Sequence, residues 1–364
     1  MSQPFDAPLS LGIMSSEIQP PATLGRRPRR GSGRVTLMDV AKVARVSAQT
    51  VSRVINSPDT VPAATVELVR SAIAQVGYVP NLLAGGLASG RSRLVAALVP
   101  AIGGPVFLQT IEALSQTLGR HGYQLMLGES GFDDADEAEV LQNLLSRRPD
   151  GIVLTRIVQS AAARAHLAAS RVPVIETWDQ TDDPVDMLIG FSHADAGSAV
   201  ADYFCQRGFS HPALLTGDDP RAIRRGAAFE TRLREHGLLA AGQGLPTVQV
   251  PAPAPLGSGR RGLADLLKAY PATDAVFCST DMLALGVLIE AGERGLAVPR
   301  QLAVVGFGDL AFAADTAPGL TTVRIDGAGI GRLAAEWVIA RVERRQIGPQ
   351  SRDIGFELVR RGSA

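Results

Sequence analysis

Four side chains on one helical stretch are of the kinds that read base edges. With Val51, Val54 and Ile55 turned inward at helical spacing, the segment from Ala48 to Asn56 keeps Ala48, Gln49, Ser52 and Arg53 on its outer face, toward its N-terminal half. Gln can pair bidentately with adenine and Arg with guanine, and an Ala methyl can touch the methyl of thymine. Thr36, Thr50 and Ser52 carry hydroxyls that can bond phosphate oxygens. Taken alone, the segment leaves a helical hairpin that only packs as an open alternative.

The surrounding sequence supplies elements to position those side chains. Thr36 reads as an N-cap with Asp39 as its capping partner, and Leu37, Val40, Ala41 and Ala44 follow at helical spacing. Arg45-Val46-Ser47 breaks the pattern and Ser47 caps the second helix, giving a helix-turn-helix. Asn56-Ser57-Pro58-Asp59 makes a loop, and a third helix is expected over about 62–76, closed by Gly77. Residues 1–33 are rich in Pro, Ser, Gly and Arg without periodicity and read as a disordered basic tail. Although the net charge is zero, residues 1–93 hold eleven Lys and Arg against five Asp and Glu, leaving 25 against 31 in the remainder. A basic head on an acidic body suits a polyanion partner; a solvated basic tail is the plainer reading.

From Tyr78 the chain runs Tyr-Val-Pro-Asn-Leu-Leu-Ala-Gly-Gly-Leu-Ala-Ser-Gly. Together with Thr-Leu-Met-Asp-Val-Ala and Val-Ser-Ala-Gln-Thr-Val-Ser-Arg-Val-Ile-Asn, this makes residues 35–92 resemble the lactose-repressor family of bacterial transcription regulators. The resemblance implies a helix-turn-helix domain over 34–80 and a hinge or linker over 81–93. It implies that Ala48, Gln49 and Arg53 read the major groove, with Ser47, Asn56, Tyr78, Asn81 and Ala84 in the same DNA-contacting set and Leu87 wedged into the minor groove. Gly85 and Gly86 each cost a helix about 1 kcal/mol relative to Ala, so so short a hinge should fold only on DNA. A leucine lever needs a second copy from a partner subunit, which fits double-stranded operator DNA bound as a palindrome by a homodimer. A plain flexible linker is the alternative.

After Arg93, apolar runs at 94–100, 124–127, 151–155, 173–177, 212–216, 275–279 and 302–306 alternate with helical patterns. This βαβ rhythm predicts an α/β core of parallel sheets covered by helices, with about ten strands in all. The resemblance implies two doubly wound subdomains, periplasmic-binding-protein-like, over about 94–191 with 324–354 and about 192–323 with 355–364. Ligands of such sheets lie beyond the carboxyl ends of strands. The loops there carry Phe107, Ser130, Glu176, Trp178, Asp179, Thr280, Phe307 and Asp309. Flat aromatic faces, carboxylates and an arginine suit a polyol. The family pattern places Arg225 at the small-molecule effector, with Phe229 behind it and Arg221 and Arg224 as neighbours. Glu176-Thr-Trp-Asp, Pro184-Val-Asp-Met and Gly190-Phe-Ser look most like the gluconate-operon repressor branch, and a sugar acid would suit Arg225. Thr280-Asp281 and Gly308-Asp309 depart from the commoner family residues.

Other chemistries find no support. Gly257-Ser-Gly259-Arg-Arg-Gly262 matches a dinucleotide fingerprint by letter but follows Pro251, Pro253 and Pro255 rather than a strand, and reads as a loop leading into a helix. Lys42 and Lys268 are the only lysines, no Walker motif exists, and His121, His166, His193, His211 and His236 have no metal spacing. The acids from Asp133 to Glu139 read as a helix-opening surface rather than a metal site. Cys205 and Cys278 read as buried free thiols. We therefore expect no cofactor, no metal and no enzymatic turnover. No apolar run is long enough to span a membrane and no export signal is evident, so a cytoplasmic protein is expected. Without a trailing leucine heptad, a dimer is expected rather than a tetramer. A soluble sugar-binding component and a sugar-processing enzyme are the competing classes; DNA binding by residues 34–92 separates the regulator from both.

Overall fold

A computed structural model describes residues 35–79, 91–102, 104–131, 134–240, 242–346 and 348–364, without the side chains of 134–136. They form two compact units, one within residues 35–79 and one within 91–364.

The first unit is three helices: α1 (Leu37–Ala44), α2 (Ala48–Asn56) and α3 (Ala63–Val76). Thr36 and Asp39 form a reciprocal capping box at α1, and the Ser47 hydroxyl accepts the Thr50 N–H at 3.0 Å to start α2. Arg45 turns left-handed (φ 53°) to join them. Val40, Ala44, Val51, Val54 and Val69 make the shared core. Pro62 stands at the N-cap of α3 rather than inside it, and Gly77 closes the helix in the left-handed region.

The second unit holds two six-stranded sheets. The first has the order β11-β5-β4-β3-β1-β2, from strands β1 (Leu94–Val99), β2 (Gln124–Glu129), β3 (Gly151–Leu154), β4 (Val174–Thr177), β5 (Met187–Gly190) and β11 (Ser351–Asp353). The second has the order β12-β10-β9-β8-β6-β7, from β6 (Pro212–Gly217), β7 (Thr247–Val250), β8 (Ala275–Cys278), β9 (Ala303–Phe307), β10 (Thr321–Arg324) and β12 (Glu357–Val359). Every pairing is parallel except β10 with β12. Apart from half-buried Leu94 at the start of β1, the centre strands are buried, as a parallel sheet covered on both faces requires. Among the described residues twelve strands stand where about ten were expected; β11 is exposed and β12 only half-buried, and at three residues each neither carries an apolar run long enough to announce it.

The helices are α4 (Leu108–Arg120), α5 (Asp134–Ser146), α6 (Ala161–Ser170), α7 (His193–Arg207), α8 (Pro220–Glu235), α9 (Leu256–Ala269), α10 (Asp281–Glu293) and α11 (Gly327–Val342). Of these, α7 follows the first sheet but packs on α8, and α11 follows the second sheet but packs on α4. The chain thus crosses between subdomains after β5, β10 and β11.

Two sequence expectations are corrected here. Gly257 to Gly262 is not a loop but the first turns of α9. At Gly259 a Cβ would meet the Leu283 carbonyl oxygen at 2.2 Å and Gly286 Cα at 3.0 Å, so the glycines let α9 and α10 cross closely. Glu137 is not part of a solvated acidic face: it is buried, 3.4 Å from Arg156. Among the described residues no helix is long and apolar enough to cross a membrane, and no group of three or more His, Cys, Asp or Glu is placed to hold a metal ion.

Candidate functional site

On the three-helix unit, the inward residues of α2 leave Gln49 and Arg53 exposed, their side chains making no hydrogen bond or ion pair to other described residues. Ala48, Thr50 and Ser52 are half-buried beside them. The hydroxyls are engaged locally: Ser47 with Thr50 Oγ1 at 2.8 Å, and Ser52 accepting from Asn56 Nδ2 at 3.2 Å. Thr36 spends its hydroxyl on Asp39 at 2.7 Å, and Tyr78 packs half-buried against the helical core. Asn81, Ala84 and Leu87 lie outside the described residues.

In the second unit, loops at the carboxyl ends of β1, β4, β6, β8 and β9 surround a cleft between the two sheets. It encloses about 820 Å³ of empty volume, part of it open to solvent. Phe107, Trp178, Arg225, Thr280 and Phe307 line it. Trp178 meets Phe107 edge-on, with ring centroids 5.1 Å apart, and donates its indole N–H to Thr110 Oγ1 at 3.0 Å. Its backbone is left-handed (φ 68°), a conformation that costs a bulky residue on the order of 1–3 kcal/mol and is held only where the surroundings impose it. Just after it the Asp179 backbone runs close against Gly190, where a Cβ would lie 1.7 Å from the Asp179 carbonyl oxygen.

Arg225 is the central cation. It is buried, its guanidinium stacks 3.8 Å over the Phe307 ring, Nη1 donates to His193 Nδ1 at 2.9 Å and Nη2 to the Ser279 carbonyl at 2.9 Å. Nε has no partner, and among the described residues no carboxylate lies within ion-pair distance. Burial lowers its pKa to about 10, so it stays charged at neutral pH. A guanidinium can only donate, which fixes His193 as the neutral tautomer with its proton on Nε2, donated to the Trp178 carbonyl at 2.9 Å. Burial first, and then the Arg225 charge, hold the His193 pKa well below the usual value.

Beside it, Arg221 reaches across the cleft, donating to the Thr155 carbonyl at 2.9 Å and lying 5.0 Å over the Phe107 ring. Asp219 caps α8, accepting the backbone N–H groups of Arg221 and Ala222.

Four sequence-chosen effector residues stand elsewhere. Glu176 is buried and accepts the N–H of Val158 at 2.8 Å and of Val185 at 2.7 Å, a loop-bracing role. Ser130 is buried under β1 and donates to the Gly131 carbonyl at 3.1 Å. Asp309 turns away to pair with Arg324 at 2.6 Å and Arg361 at 2.7 Å. Asp179 lies outside the aromatic part of the cleft, paired with Arg224 at 2.5 Å. Each occupies a strand-end loop, as chosen, but strand alternation and loop curvature decide which side chains reach the cleft. His193, Asp219, Arg221 and Ser279 also line the cleft but were not among the chosen effector residues, although Arg221 was read as a neighbour of Arg225. Arg221 was at least legible one helical turn before Arg225. Beneath the loop, Asp281 accepts from Thr322 Oγ1 at 2.5 Å and from the Leu310 N–H at 2.7 Å, and burial pushes its pKa up to about 6.

Comparison with known proteins adds to this geometry. A family model described as bacterial regulatory proteins, lacI family, matches residues 36–81, and one described as a periplasmic binding protein-like domain matches residues 201–364. The chain is 34% identical over 335 residues to the HTH-type transcriptional regulator GntR of Pseudomonas aeruginosa, covering 92% of this chain and 97% of that one. A LacI-family transcriptional regulator from Silicibacter pomeroyi superposes with a TM-score of 0.83 at 30% identity, over 90% of this chain and 99% of that one. The lac repressor dimer bound to operator and the anti-inducer ONPF superposes with a TM-score of 0.78 at 26% identity, over 91% and 99%. With the three-helix unit presenting Gln49 and Arg53, the paired sheets around Arg225, and relatives matched along nearly their whole length, the chain belongs to the lacI family of bacterial regulatory proteins.

Proposed function

We propose that this protein is a transcriptional repressor of sugar-acid catabolic genes, gripping a palindromic operator as a homodimer and released when a gluconate-like acid enters the core cleft. On this reading it has no turnover of its own and works in the cytoplasm. Ala48, Gln49 and Arg53 meet base edges, the hydroxyls about α2 meet phosphates, and Leu87 of the hinge wedges into the minor groove. Ligand entry disturbs the bonds that Arg221 and Arg224 make across the cleft, changes the closure of the two subdomains and so separates the hinges.

The observation that carries the ligand class is Arg225: a buried guanidinium with a free Nε–H and no carboxylate partner, between aromatic walls. A carboxylate supplies the missing acceptor, and Phe107, Trp178 and Phe307 cover the C–H faces of a polyol chain. The relative named GntR agrees with the same branch.

Isothermal titration calorimetry of the full chain with gluconate tests this. Gluconate is expected to bind, and Arg225→Gln to weaken it by roughly 30- to 5000-fold, the equivalent of about 2–5 kcal/mol for truncating one side of a buried charged pair. Equal affinity in the variant, or heat with neutral sugars alone, would refute the reading.

A further inference from the structure

Beyond Arg221 the cleft opens into a second, more polar chamber lined by Arg156, Gln159, Asp179 and Arg224, with Arg221 and Asp219 shared between the two. So many arginines beside an anion-binding guanidinium suggest room for a second negative charge on the ligand. The ion pairs argue otherwise. Arg224 Nη1 lies 2.5 Å from Asp179, Arg156 lies 3.4 Å from Glu137, and Arg221 lies 3.9 Å from Asp219 while its Nη1 is spent on Thr155. Arg225 alone among these four has no carboxylate within ion-pair distance among the described residues.

We propose that Asp179 and Asp219 set the charge of the effector: by neutralising Arg224 and Arg221 they leave one uncompensated cation, so the cleft accepts a sugar acid with a single negative charge and rejects dianions, Asp179 being the specificity-determining residue. This rests on the sugar-acid reading above. A second anionic group reaching the polar chamber would either face Asp179 and Asp219 directly or take Arg224 for itself. In the second case Asp179, only 4% exposed, would be left as a buried charge without its partner. Both outcomes oppose dianions by repulsion rather than by shape, which is how discrimination between similar ligands is commonly built. Asp179→Asn keeps the size of the side chain and its acceptor oxygen for the Gln180 N–H, now at 2.8 Å, while releasing Arg224.

The test is calorimetric titration of the full-length protein with gluconate, with glucarate, which carries a carboxylate in place of the terminal hydroxymethyl group, and with 6-phosphogluconate. Wild type is expected to bind gluconate at least roughly tenfold more tightly than either of these more highly charged acids, and Asp179→Asn to narrow that gap by about tenfold. Glucarate or 6-phosphogluconate bound by wild type as tightly as gluconate overturns the inference and leaves the sugar-acid reading standing. No binding of any of the three overturns both. A folded Asp179→Asn protein, judged by circular dichroism, that keeps the full gap removes Asp179 from the role; if the variant does not fold, the wild-type series decides.

Discussion

Arg225 can only donate, and inside the protein its partners are an imidazole nitrogen and a carbonyl oxygen, neither of which carries charge. His193 is therefore held neutral, and that has a consequence for pH. The unfolded chain protonates His193 near 6.5, whereas burial and Arg225 keep the folded pKa well below that value. The unfolded state then binds more protons on acidification, so the stability contributed by neutral His193 is complete above about 6.5 and is lost as pH falls toward the lowered folded value. In His193→Gln the amide can still accept from Arg225 and donate to Trp178 but does not titrate. Chemical denaturation at several values between pH ~5 and ~7.5 should show the wild type losing its advantage over the variant as the solution becomes acidic; a difference independent of pH contradicts this. Legibility at this scale was uneven. Phe307 could be chosen from its type and its place at a strand end and Arg225 from the family pattern, whereas nothing singled out His193 for the cleft and Glu176 looked like a ligand contact. What separates them is which backbone N–H groups the loops leave unsatisfied, and that is decided only when distant segments such as 158 and 185 come together.

Among the elements, caps and apolar runs were readable because they are local. The capping box at Thr36, the N-cap at Ser47 and the strands at the centres of both sheets follow from a few neighbouring residues. Edge strands and close helix crossings are not local, and the glycines of α9 show why: their spacing mimics a phosphate loop, but it serves contact with α10. Gly259→Ala is thus expected to destabilise by about 1–3 kcal/mol, since the added methyl meets a backbone oxygen that cannot move alone. Gly119→Ala, in α4 with nothing within 4 Å of the new methyl, should be neutral or stabilise by about 0.5–1 kcal/mol. Urea denaturation of both variants checks the contrast; similar effects at the two positions would sink it. In the three-helix unit, Ser47→Ala removes the cap of α2 and should cost about 1 kcal/mol in the same assay, measured on the headpiece transition.

For the molecule as a whole, the uneven charge already separated a basic head from an acidic body, and the βαβ rhythm announced the core. The three crossings of the chain between sheets were beyond local reading, because nothing in the apolar runs says which sheet a strand joins. Those crossings make the cleft a seam between two bodies, so a ligand bonded to both sides shifts their closure. Coupling of that kind is reciprocal: operator DNA must weaken effector binding by the same factor by which effector weakens DNA binding. Leu87→Ala should reduce specific operator affinity while leaving salt-sensitive non-specific binding nearly intact, and equal losses in both would remove the lever. The most direct measurement is fluorescence anisotropy of a labelled fragment from the protein's own promoter region, titrated with the full-length protein and then with gluconate. Specific binding is expected that gluconate reverses in wild type and fails to reverse in Arg225→Gln. Specific binding that gluconate leaves unchanged, or no specific binding at all, would contradict it.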